Sequence, residues 1–398
     1  MAERDRYLDY LRGVAIAWVV LVHVLYLKQL VPSGSAGQAL KGVILFEMPL
    51  FFFVSGASLY YSHLRQPATG RFLARRLWRL LPPYALLAVV CTFLFYRSEL
   101  AAGRPITFEQ VTSWLLLRPW PVVPVYVGAY MWFVRVMLAI TVAHVALVRL
   151  FSSDRYRAPA ALLLALGVIA FTPIGRPLPD FHAVPIRQLP QYVVFYGAFV
   201  YLGYYYASGR LSLRPARLAL AAAASVALLV GLATLGVVSG DAQVNKFPPN
   251  VGYALLGLGW LTFWLLLRPG LVAVAGGLRP VGAALRFFGR HSYTVYLCHG
   301  FGLWATDYAL PYLHLSDRLQ GAHYAAWVAV YFAFTLGVSA AIAALVGHLP
   351  GVSPLSDCPR MSFRAPQGRG IRTRVRAADP SLRSGGQRDY HTKCQMTH

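Results

Sequence analysis

The sequence predicts an all-α, multi-pass membrane protein: a bundle of about ten transmembrane helices with the N-terminus and the C-terminus cytoplasmic. Three observations carry this. Hydrophobic residues make up 57% of the 398 and charged residues only 13%, where a soluble domain has about 25% charged. Ten apolar runs recur at about 11–30, 43–62, 81–97, 127–150, 159–174, 191–207, 216–238, 251–268, 287–310 and 325–347, most of them near the roughly 20 residues a helix needs to cross a bilayer. Cations divide unevenly between alternate loops, fifteen (Arg65 through Arg290) against nine (Lys28 through Arg318), and the richer set belongs on the cytoplasmic side.

The first run is longer than the apolar core of a signal peptide and no small-residue cleavage site follows it, so it reads as a retained span. The membrane domain extends over residues 1–350. Residues 351–398 are polar, basic and rich in Gly, Pro, Ser and Arg; without helical or strand periodicity they read as a disordered cytoplasmic tail. The net charge of +23 would suggest nucleic acid in a soluble protein, but no basic–aromatic module accompanies it. Basic loops that orient the chain and touch lipid headgroups account for it. Membrane lipids are thus expected partners and nucleic acid is not. Cys91 and Cys298 fall in apolar runs, Cys358 and Cys394 in the tail, and no CxxC spacing indicates a disulfide framework or a metal site.

The elements that carry chemistry come in order along the chain. The first span, LDYLRGVAIAWVVLVH, holds Arg12 and His23 eleven residues apart. That is three helical turns, so both side chains share one face about 16 Å apart. Asp9, three residues before Arg12, can pair with it. Ionisable groups at such depth cost about 2.5–3.5 kcal/mol, so the stripe must face the bundle interior or a water-filled cavity. A lone histidine bonded to a neighbouring helix, with Arg12 snorkelling to headgroups, would also satisfy the pattern. In FEMPLFFFVSGASLYY, Glu47 opens the second span, Pro49 suits its first turn, and Ser55–Gly56 permits close helix approach.

RFLARRLWRLLPPY, in the loop entering the third span, carries Arg75, Arg76 and Arg79. Arg76 and Arg79 at helical spacing form a fork for phosphate, although the positive-inside bias alone would also place them there. Arg135 lies a few residues into the fourth span, in YMWFVRVML. The stretch FFGRHSYTVYLCHG puts His291 and Ser292 at the cytoplasmic mouth of the ninth span and His299 within it.

Together these stretches resemble the acyltransferase-3 family of integral membrane proteins, the transmembrane acyltransferases. LDYLRGVAIAWVVLVH is similar to its first-helix signature, an Arg and a His separated by ten residues, and FEMPLFFFVSGASL to its second-helix motif. RRLWRLLPPY carries its R-x-x-R element followed by proline. MWFVRVML resembles its Trp-Phe motif, GRHSYTVYLCH its late Ser–Tyr–His helix, and KFPPNVGYALL a segment of a kind seen in members. The resemblance covers about residues 5–347 and leaves the tail unmatched. It implies a ten-helix bundle in the cell (plasma or inner) membrane that moves an acyl group, commonly acetyl from acetyl-CoA, onto a hydroxyl of a sugar, glycan or other secreted acceptor. It implies acyl-CoA as co-substrate, with no permanently bound cofactor. The family's functional histidine and arginines carry over onto His23, Arg76 and Arg79, with Arg12 part of the first motif.

The residues fit that chemistry in their own right. Transfer from a thioester to an alcohol needs a base as attack begins, and a histidine in a dry cavity serves near neutral pH. His23 is the expected base, with Asp9 and Arg12 setting the electrostatics of its helix; an acyl-histidine route with His23 as nucleophile is also open. Arg75, Arg76 and Arg79 would hold CoA phosphates. Glu47, Arg135, Ser292 and His299 are candidates for the cavity wall, with Arg135 or Ser292 at the thioester oxyanion. A transporter or flippase for a lipid-linked or acidic solute would also place buried Arg and His along a cavity, but the motifs show no inverted-repeat symmetry.

Overall fold

The computed structural model describes residues 5–27, 31, 34–65, 70–105, 107–115, 117, 131–153, 155, 157–171, 188–211, 214–313 and 324–348. The basic tail expected over 351–398 lies outside them. The described residues are helical apart from short turns. The helices are α1 (Arg6–Leu27), α2 (Gly34–Ile44), α3 (Glu47–Arg65), α4 (Gly70–Phe95), α5 (Arg97–Ala101), α6 (Phe108–Leu115), α7 (Trp132–Ser152) and α8 (Arg157–Ala170). They continue with α9 (Leu189–Ala207), α10 (Pro215–Thr234), α11 (Ala242–Lys246), α12 (Val251–Leu266), α13 (Arg268–Gly277), α14 (Arg279–Arg290), α15 (Ser292–Tyr312) and α16 (Tyr324–Gly347).

Among the described residues, five helical stretches are long and apolar enough to cross a bilayer: Arg6–Tyr26, Gly34–Leu64, Gly70–Leu94, Pro215–Thr234 and Ala325–Gly347. A sixth follows if α12 and α13, bent by 54° at Leu267, form one broken span. The protein is therefore multi-pass. The apolar runs expected near 127–150, 191–207 and 287–310 do form helices, α7, α9 and α15; Trp132–Val145 of α7 counts as a shorter apolar helix, and the average of α9 and α15 is lowered by their tyrosines and, in α15, by His299 and Asp307. One expectation needs correction: the arginines of RRLWRLLPPY are not in a loop. They lie within α4, and Pro82 and Pro83 sit inside that helix rather than at its start.

Helices α1 and α3 form the centre. Gly56 of α3 is the close-approach residue the sequence suggests, since a Cβ there would stand 1.9 Å from the Val200 carbonyl oxygen of α9. Gly203 of α9 returns the contact, with a Cβ position 1.8 Å from the Phe53 oxygen. The aromatic run of α3 fills the space between: Phe52 stacks on Tyr196 at 4.3 Å and meets Phe133 of α7 at 5.2 Å. On the other side of α1, Gly13 and Gly289 let α14 approach, their Cβ positions falling 2.2 Å from the Leu285 oxygen and 2.3 Å from the Asp9 oxygen. Helix α10, by contrast, exposes Leu220, Val226, Leu228 and Val230, the surface of a helix whose neighbour is hydrocarbon.

Long-range polar contacts order the helix ends. Tyr206, near the end of α9, donates to Asp5 at 2.8 Å, and Arg268 pairs with Asp5 at 3.2 Å. Arg286 of α14 donates to the Tyr10 hydroxyl at 3.2 Å, and Tyr293 of α15 donates to the Leu80 carbonyl of α4 at 2.8 Å. The beginnings of α1, α4 and α15 thus share one face of the bundle with the ends of α3, α9 and α16. At the opposite face Lys41 of α2 pairs with Asp241 at 2.5 Å.

Candidate active site

Two polar clusters lie along α1, one near each of the residues its sequence singles out. The deeper one begins with His23. Its Nδ1 lies 2.8 Å from the Val19 carbonyl oxygen one turn back. A carbonyl only accepts, so the tautomer is assigned with the proton on Nδ1 and the basic lone pair on Nε2. His299 of α15 repeats the arrangement, its Nδ1 2.5 Å from the Tyr296 oxygen. The two rings lie in contact, tilted by 59° with centroids 4.6 Å apart. His299 is fully buried, whereas His23 keeps some exposure, which fits a wall position in an internal cavity.

Beside this pair stands a buried ion pair that joins distant parts of the chain. Glu47 at the start of α3 accepts from the Lys246 ammonium of α11, with 1% and 5% of the residues exposed. Lys246 is within electrostatic reach of His23. The sequence places Lys246 among the cations of an outer loop; in the structure it ends the short helix α11 between α10 and α12, buried and paired. Its position follows from local order: Asp241 caps α11 by accepting from Gln243 N at 2.8 Å, and Asn250 caps α12 by accepting from Tyr253 N at 3.1 Å. Between the two caps the Phe247–Pro248 peptide is cis. The hydroxyls of Tyr196 and Tyr253 lie near the Glu47 carboxylate. Trp132 packs on Tyr196 at 5.5 Å and closes the aromatic wall.

The second cluster is basic. Arg12 donates to the Ser58 hydroxyl of α3. Arg76 turns inward from α4, within electrostatic reach of both Arg12 and Arg79, while Arg75 and Arg79 are exposed. His144 of α7, 3% exposed, lies near Arg76 and His63. Buried nitrogens of these residues, His63 Nδ1, Arg76 Nε and His144 Nε2, have no hydrogen-bond partner among the described residues. Buried charge is retained where something pairs with it, and among the described residues cations and imidazoles, without a carboxylate, act on Arg76 and His144. The chemistry of the donors is that of an anion site.

The structure brings His23, His299 and Glu47 together at one level and Arg12, Arg76 and Arg79 at the other. Asp9 sits a turn before Arg12, with its backbone oxygen against Gly289. Arg135 stands beside the Tyr84 and Tyr192 hydroxyls, between α4 and α9. Ser292 is buried at the first turn of α15, two turns or about 10 Å along the axis from His299. At that mouth, burial and then the nearby Arg290 and His348 push the His291 imidazole below its ordinary pKa. Lys246, His63, His144 and Ser58 are the residues that sequence reasoning missed. Lys246 and Ser58 had a signal in the stretches KFPPNVGYALL and FEMPLFFFVSGASL, and His144 had one in the apolar run 127–150 that holds it.

Comparison with known protein families matches residues 5–344 to the family described as Acyltransferase domain. A search of curated proteins finds no match. The matched span contains both polar clusters and runs from the start of α1 almost to the end of α16, and so the chain belongs to the acyltransferase-3 family of membrane acyltransferases.

Proposed function

We propose that this acyltransferase takes an acyl group, acetyl being the first candidate, from a CoA thioester and places it on a hydroxyl of a sugar, glycan or other secreted acceptor. The observation that carries the reading is the spacing of the two clusters. The anion site at Arg12 and Arg76 lies about three turns, or 16 Å, down one helix from His23. That is of the order of an extended pantetheine arm, so phosphates held at the basic cluster would bring the thioester to the histidine pair. Arg76 and Arg79 would supply charge-assisted hydrogen bonds to phosphate, with His63 and His144 closing the site.

In this reading His23 Nε2 takes the proton of the acceptor hydroxyl as its oxygen attacks the thioester carbonyl. The carbon–sulfur bond then breaks, and the imidazolium returns the proton to the departing CoA sulfur. The Val19 carbonyl holds the ring in the required tautomer, and His299 provides a second imidazole against which the charge is shared. The Glu47–Lys246 pair fixes the field around the histidines, and Asp9 helps to set that of the first helix. Arg135 is the candidate for the developing oxyanion; Ser292 is left out because of its distance along α15. Ten spans with both termini cytoplasmic belong to this proposal too, since they would bring CoA to the basic face and the acceptor from the other.

The test is binding of radiolabelled acetyl-CoA to purified protein, comparing wild type, His23→Ala and Arg76→Ala/Arg79→Ala. Wild type and His23→Ala should bind, and the double variant should not. Absence of binding to wild type at millimolar ligand would overturn the acetyl-CoA assignment and favour a transporter or another donor.

A further inference from the structure

Helices α4, α15 and α16 enclose a cleft of about 270 Å³ that takes no part in the site above. Pro83, Leu86 and Val90 form one wall, Cys298, Phe301 and Trp304 another, and Ile342 and Val346 the third. Only Thr294 brings a side-chain hydroxyl to the lining. The volume falls just below the roughly 300–1,000 Å³ of ordinary small-molecule pockets, room for one chain rather than a bulky solute. Its lining on α15 runs from Thr294 to Ala305, about 16 Å along the axis, so it extends along the bilayer normal and not across it.

One end of the cleft is basic. Thr294 lies one turn above Arg290 and His291, and Val346 lies two residues before His348. These three are neighbours: Arg290 and His348 both act electrostatically on His291, and a Cβ on Gly347 would meet the His291 ring at 3.3 Å. Arg290 and His348 are exposed. An apolar slot at membrane depth, ending in a cationic rim at the membrane face, is complementary to an amphiphile with an anionic head. Basic pockets between transmembrane helices recognise phosphate headgroups in this way.

We propose that the cleft is a binding site for an anionic phospholipid, one acyl chain lying against Trp304 and Phe301 and the headgroup phosphate at Arg290, His291 and His348. The lipid would pack the outer side of α15, the helix that carries His299 on its inner side. The site is independent of the acyl-transfer reading, because it requires no turnover.

Trp304 supplies the probe. The full-length protein is reconstituted in vesicles containing phosphatidylglycerol or phosphatidylcholine with mid-chain bromines, which quench nearby tryptophan. The signal assigned to the cleft is the quenching lost in Trp304→Phe. Brominated phosphatidylglycerol should quench it at mole fractions about fivefold lower than phosphatidylcholine, the preference expected from one cation at the headgroup. Arg290→Gln, a surface change, should abolish that preference, and Ile342→Phe, which fills the cleft without adding a tryptophan, should reduce quenching by both lipids. Equal quenching by the two lipids overturns the proposal, since the cleft then meets only bulk bilayer. Release of the quenching by dodecanoyl-CoA overturns it as well, and makes the cleft the site of a donor's acyl chain.

Discussion

The Glu47–Lys246 pair offers the sharpest test of the site. Lys246→Met removes the cation and strands a carboxylate that is 1% exposed, with its second oxygen already buried without a hydrogen-bond partner among the described residues. Breaking a buried pair from one side costs about 3–5 kcal/mol, because the remaining charge keeps its desolvation penalty without its partner. Glu47→Leu should cost about as much. The double variant Glu47→Leu/Lys246→Met should recover most of the loss, since apolar replacement of both partners is often nearly neutral. The stability assay is thermal unfolding in detergent, read as a double-mutant cycle. The second readout is acyl transfer. If the pair sets the field at His23, the double variant is stable but slow. Two results would refute the reasoning. A single variant as stable as wild type means the charges are not desolvated. A double variant with full activity means the pair is a strut between α3 and α11 and nothing more.

Three further outcomes follow from the geometry. Gly56→Ala should destabilise by about 1–3 kcal/mol through overpacking, because its Cβ would stand 1.9 Å from the Val200 oxygen; Gly197→Ala, with open space at its Cβ, is the control in the same melting assay. Replacing His63 and His144 by Leu should raise the acetyl-CoA Kd about tenfold, the worth of one hydrogen bond to a charged group. Dephospho-CoA competition then tells which phosphate the imidazoles meet. His299→Leu should leave donor binding unchanged and lower kcat by about 10²-fold; an unchanged rate would assign His299 to packing.

Much of the site could be read from the sequence because charge inside an apolar run is costly and therefore conspicuous. Arg12, His23 and His299 stand out for that reason, Arg76 stands out by its helical spacing from Arg79, and α1 and α3 place their neighbours as the periodicity requires. Lys246 could not be read the same way. It follows a polar stretch, and its burial is decided by a partner 199 residues away. His63 lies near the end of α3, where a histidine is unremarked, whereas His144 sits inside α7 with the same signal as His23; the meaning of both depends on the packing of α3, α4 and α7. The spans were similarly uneven. Helix α10 is legible from composition alone, whereas α9 dilutes its apolar character with tyrosines that turn their hydroxyls inward.

The paired prolines of α4 bear on how the two ends of the site are linked. Neither Pro82 nor Pro83 has an N–H to give, so the carbonyls of Trp78 and Arg79 lose their usual partners and the helix is softest just beyond the arginines. At that weak point Tyr293 reaches from α15 to the Leu80 oxygen. Six residues further along α15 comes His299. Helix α4 is therefore jointed where it is tied to the helix bearing the second imidazole.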